Sequence, residues 1–159
     1  MIKKNTGSIS LGRENKVLVL ESNLLILDKS KKVLEHSFEV CSKIGVKPDY
    51  IISELDAFEA LSSRFARSAD LITQKVLPSV YFVLQENPKT FIDRINLAEK
   101  LGLIEDIDNL KDIREIRNVI AHEYSLNDIS EYFSDLVEST KILLEIIKVL
   151  VIKIKEKIN

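Results

Sequence analysis

The 159-residue chain contains one cysteine, three prolines, four glycines and no tryptophan. A lone Cys41 excludes an internal disulfide, supplies no thiolate metal cluster, and fits a reducing cytosol. So few helix breakers disfavour a turn-rich β architecture, and no stretch shows the strict apolar–polar alternation of a half-buried strand. No internal repeat is present. The most apolar region, Ile142 to Ile154, is interrupted by Glu145, Lys148 and Lys153 and falls short of a membrane span. Met1-Ile2-Lys3-Lys4 is basic, but the polar stretch Asn5 to Ser10 follows where a signal peptide needs an apolar run. These absences place the expected location in the cytoplasm. The formal charge of −2 argues against a broad basic coat for nucleic acid, though not against a compact positive cleft.

With 45% hydrophobic and 30% charged residues, the chain is expected to form one globular domain over residues 1–159, with residues 1–12 as a tail. Apolar residues recur at helical spacing almost throughout. The spacing predicts a first helix from about Glu14 to Ile44, closed by Gly45 with Pro48 just beyond. A second starts near Asp49 or Ser53, where Ser53-x-x-Asp56 resembles a capping box, and runs to about Glu86. Pro78 should kink or break it, because proline removes an amide donor and clashes with the preceding turn. Thr90 can cap a short helix, Phe91 to Leu101, stopped by Gly102. A fourth helix spans about Ile107 to Glu123, and Asn127 can cap a last one reaching about Lys157. The expected fold is all-α, an antiparallel bundle of four to five helices. The last helix is apolar nearly all round at Ile146, Ile147, Val149, Leu150, Val151 and Ile152, so it is either innermost or meets a partner subunit.

Chemistry concentrates in Arg117-Asn118-Val119-Ile120-Ala121-His122-Glu123-Tyr124. A guanidinium near an imidazole suits phosphodiester cleavage, one steadying phosphate charge while the other moves a proton. Of six arginines, only Arg13 lies outside the middle of the chain, and arginine is the better residue for forked phosphate contacts. Arg117 and His122, five residues apart, sit roughly 140° around a helix and about 7.5 Å along it. One helix alone does not aim both at the same atom. Arg114, Asn118 and His122 form one stripe at four-residue spacing, while Arg117 shares another with Ala121 and Tyr124. The stripes can converge if a second copy of the helix faces the first, as in a two-fold dimer. Arg117 also borders the apolar face of Ile113, Ile116 and Ile120, where a salt bridge at the core edge is the plainer role. A second polar stripe, Arg64, Arg67, Asp70 and Gln74, either points into the same cleft or holds an intrahelical Arg67–Asp70 pair on a solvated face. His36 reads as a surface residue, Cys41 as buried packing, and Tyr50, Tyr81 and Tyr132 as packing aromatics.

Arg117-x4-His122-x-Tyr124 resembles the Arg-x4-His-x-Tyr signature of HEPN domains, specifically the HepT toxins encoded beside MntA-type minimal nucleotidyltransferases. The segments Leu61 to Arg67, Leu77-Pro78, Phe91 to Ile95 and Ala98 to Leu103 are similar to the helices of one HepT-like subgroup. The resemblance covers roughly Asp56 to Tyr124, and the last helix agrees in character. It implies a HEPN-type bundle forming a homodimer with the motif helices facing across a cleft. It also implies RNA cleavage without metal or other cofactor. The implied partner is an MntA-type nucleotidyltransferase antitoxin that attaches AMP to the motif tyrosine. On that basis Arg117 and His122 are the expected catalytic pair and Asn118 an orienting residue, with Arg114, Arg67 and Asp70 in support and Tyr124 modified. The alternative is a non-catalytic substrate- or nucleotide-binding subunit of such a nucleotidyltransferase.

Overall fold

A computed structural model describes the backbone of residues 6–122 and 129–159, and the side chains of residues 12–120 and 129–159. The described residues form an all-helical bundle: α1 (Thr6–Ile44), α2 (Ile52–Leu71), a π-helical turn (Ile72–Val76), α3 (Leu77–Val83), α4 (Phe91–Lys100), α5 (Ile107–His122) and α6 (Ile129–Ile158). No strand occurs among them. Helix α1 starts at Thr6, not at the expected Glu14, and so takes in part of the expected tail. No proline interrupts this stretch, and extending a formed helix gains a hydrogen bond per residue without a new nucleation cost.

The chain then turns back at Gly45, whose φ of 73° is left-handed backbone that glycine adopts at no steric cost. Contacts between α1 and α2 run in opposite senses along the two helices. Cys41 Sγ donates to the Ala57 carbonyl, Arg64 reaches Ser37, Ser30 meets Ser68, and Asn23 donates to the Lys75 carbonyl. That register makes the pair antiparallel. The cap of α2 differs from the expected Ser53-x-x-Asp56 box: Glu54 accepts the Ile51 N–H at 3.1 Å, two residues earlier in the chain. Glu54 also binds Lys47, and this second partner favours the earlier cap.

Pro78 does interrupt the second helix, through a widened turn. The Leu77 N–H reaches back to the Ile72 carbonyl, an i→i−5 bond. One extra residue per turn gives the proline ring room, and the axis continues into α3. The Tyr81 hydroxyl donates to the Arg94 carbonyl and anchors α4 to α3. Helix α4 has the expected Thr90 cap, with Thr90 Oγ1 accepting the Asp93 N–H at 3.1 Å and the Asp93 carboxylate accepting the Thr90 N–H at 2.9 Å. Gly102 ends it at φ 70°.

The core is built from heptad-spaced stripes: Leu20, Leu27, Leu34 and Cys41 on α1, and Leu136, Leu143, Leu150 with Phe133, Ile147 and Ile154 on α6. Phe58 stacks on Phe133 at 3.8 Å between centroids, with Tyr50 packed edge-on against both. Helix α6 therefore buries one stripe instead of its whole circumference, and Ile152 stays 53% exposed. His36 is exposed, while Cys41 and Tyr81 are buried and Tyr50 and Tyr132 half-buried. Among the described residues, no helix is long and apolar enough to cross a membrane.

Candidate functional site

Helix α5 crosses α2 where the π turn begins, and a groove of about 150 Å³ opens between them. One wall is Ala69, Asp70, Thr73 and Gln74; the other is Leu110, Ile113, Arg114, Arg117 and Asn118, with Phe91 of α4 at the side. Leu110 and Ile113 are buried and pin α5 to the core. That contact sets its rotation so that Arg114, Arg117 and Asn118, on neighbouring stripes, border one groove within a single chain. Convergence of these three needs no second copy of the helix.

Arg117 is held at its place. Its Nε donates to Asp70 Oδ1 and its Nη2 to Asp70 Oδ2, both at 2.9 Å. This is a forked, side-on ion pair between α5 and α2, with side chains 34% and 41% exposed. The Asp70 hydrogen bonds, and then its charge, bind the guanidinium proton still more firmly than usual. The salt bridge at the core edge anticipated for Arg117 is therefore present, and Asp70 is its partner. The intrahelical Arg67–Asp70 pair is not: with both oxygens taken by Arg117, Arg67 turns along its own helix and donates to Ser63 Oγ at 3.2 Å. Arg67 lies outside the groove lining. Arg64 points away from the groove, donating to Ser37 Oγ and the Val33 carbonyl on α1.

Arg114 lays its guanidinium over the Phe91 ring, 4.0 Å from the centroid, a cation–π contact that leaves the charge in reach of solvent. Arg94 Nη1 donates to Gln74 Oε1 at 3.5 Å and so stands behind the far wall. Gln74 was visible as the end of the α2 polar stripe and Arg94 as one of the central arginines; Thr73 and Phe91 were not, as only the π turn and the docking of α4 bring them here. A π turn inserted into an α-helix often marks a functional site, because it redirects side chains at small cost to the axis. Asn118 is exposed on the groove rim. His122 is the last residue of α5, and its side chain lies outside the described residues, as does Tyr124. Among the described residues, no cluster of three or more His, Cys, Asp or Glu side chains could hold a metal ion.

Comparison of the chain with protein-family models, with curated proteins and with solved structures finds no match.

Proposed function

We propose that the protein is a ribonuclease of the HEPN type, the toxin of a HepT–MntA pair. The observation that carries this reading is the convergence of Arg114, Arg117 and Asn118 on one groove, on the helix that ends at His122. Two cations and an amide beside a shallow groove suit a phosphodiester better than an apolar ligand. In this reading the His122 imidazole takes the proton from a 2′-hydroxyl, and the 2′-oxygen attacks the adjacent phosphorus. Arg117 meets the charge that builds on the phosphorane, and the 5′-oxygen leaves with a proton drawn from water. The products are a 2′,3′-cyclic phosphate and a free 5′-hydroxyl. Arg117 alone borders the groove from the catalytic pair as described, so two motif helices facing each other in a homodimer remain the proposed way to bring His122 to the same phosphate. The partner would be an MntA-type nucleotidyltransferase. AMP attached to Tyr124 would bring negative charge beside Arg117 and compete with RNA phosphate for it.

The test is purified protein on RNA beside a His122→Ala variant. Cleavage is expected to leave cyclic-phosphate ends, to survive a chelator, and to fall at least about a hundredfold in the variant. Sustained cutting by His122→Ala would overturn the mechanism. Mass spectrometry after co-expression with the nucleotidyltransferase should show AMP on Tyr124 and none on Tyr124→Phe. A second reading, a non-catalytic subunit that presents a nucleotide to the nucleotidyltransferase, is favoured by the Phe91, Gln74 and Asn118 lining, which could hold one base. The same RNA assay separates them, since that subunit would bind a nucleotide and cut nothing.

A further inference from the structure

Asp70 sits 47 positions before Arg117 in the chain, yet its carboxylate takes the whole side-on edge of the guanidinium, Nε and Nη2, at 2.9 Å each. Side-on pairing uses two of the five guanidinium N–H bonds and leaves three, of which one on Nη1 and one on Nη2 form the end-on edge open to another anion. We infer that Asp70 is a positioning residue, which fixes Arg117 so that its end-on edge alone meets a phosphate in the groove. The inference rests on the reading of Arg117 as the phosphate-stabilising cation.

The physical need is clear from exposure. An arginine a third exposed, with no partner, would wander over many rotamers, and a catalytic cation must stand in place before charge develops. Helix α2 supplies the fixed point, since Ala69 beside Asp70 is buried in the core. The same carboxylate also has a cost. Its negative charge repels phosphate, so it weakens binding of intact RNA while improving the geometry of the transition state. Ground-state affinity and turnover should therefore move in opposite directions when the charge is removed, which loss of a purely structural ion pair would not produce.

Two measurements decide it. The first uses the wild-type protein and a 2′-O-methyl oligoribonucleotide, which lacks the nucleophile, with the Arg117 guanidinium followed by nitrogen-15 NMR. The Nη signals are expected to shift on titration while the Nε–H signal stays where Asp70 holds it. An Nε–H signal that moves as far as Nη would mean the carboxylate is displaced, and the inference falls. No shift at either position overturns both this inference and the role of Arg117 in phosphate binding. The second uses Asp70→Asn. Its turnover number should drop about tenfold or more while the same oligonucleotide binds as tightly or more tightly. Unchanged or faster turnover, or a loss of affinity matching the loss of rate, overturns it. Wild-type protein that cuts no RNA but shifts Nη with Nε–H fixed would end the ribonuclease reading and leave the positioning role of Asp70 standing.

Discussion

Two side chains show how placement sets chemical character. Arg117 works as a fork, and only a planar guanidinium can give two parallel hydrogen bonds to Asp70 and keep an edge free. Arg117→Lys keeps the charge and loses the fork, so RNA cleavage is expected to fall about a hundredfold with little change in melting temperature, the ion pair being half-exposed. Side-by-side rates and thermal melts check it; full activity in the lysine variant would show that charge alone suffices. Cys41 is the opposite case. It is completely buried, and burial pushes its thiol from 9.0 up to about 11. The native thiol stays protonated where the unfolded chain ionises, so its contribution is whole below pH 9.0 and is lost as pH rises towards about 11. Native protein should resist iodoacetamide at neutral pH and react only on unfolding, and Cys41→Ala should soften the alkaline fall in stability. Rapid labelling of the folded protein would contradict this.

Among the elements, short α4 depends most on its cap. Thr90 and Asp93 exchange hydrogen bonds across its first turn, and Phe91, which carries Arg114 at the groove, lies directly behind the cap. Thr90→Ala should cost about 1 kcal/mol of stability, read from chemical denaturation. The Thr90 hydroxyl bond, then the backbone bond, holds the Asp93 carboxyl below its usual 3.8. A depressed carboxylate stabilises the folded chain above that value, and the contribution disappears as pH falls through the lower native one. Thr90→Ala should therefore reduce the loss of stability on acidification, and an unaltered acid limb would deny the cap its role. The cap and the Gly102 stop were legible because capping is local chemistry. The start of α2 near Ser53 was legible too, but its capping pair was not, because Glu54 answers to Lys47 across the turn as well as to its own helix. Pro78 announced an interruption, but proline can kink, end or widen a helix, so the π turn that carries Thr73 and Gln74 to the groove was not specified by the residue alone.

At the scale of the molecule, weak overall charge and a local arginine cluster make a testable pair. If the proposed reading holds and RNA is gripped through Arg114 and Arg117, this chain of net charge −2 should release few counterions on binding. The logarithm of affinity for a single-stranded oligonucleotide should fall with the logarithm of salt at a slope of about 1.4 for two phosphates per site. A slope several times steeper would indicate a far larger basic surface. Light scattering should give twice the 18.1 kDa chain mass if two motif helices share one cleft, and a clean monomer that still cuts RNA would remove the need for the second copy. Exposed apolar side chains on long helices, such as Leu25 and Val33 on α1 and Ile152 on α6, leave surface that such an assembly could cover.

Local order was written in the chain. Apolar spacing at three and four residues, Thr90 with Asp93, and the glycines at 45 and 102 specify helices and their ends through short-range hydrogen bonds and burial, whatever lies across the bundle. The arginine-bearing face of α5 was equally plain, since side chains four apart share a face. Which partner each charge would take was not plain. Asp70 had Arg67 one turn away and Arg117 far along the chain, and local proximity favours the first. The distant residue prevails because buried Leu110 and Ile113 dock α5 onto the core at one rotation, and that rotation sets Nε and Nη2 against both carboxylate oxygens. Ion pairs of this kind follow packing, and packing belongs to the folded whole.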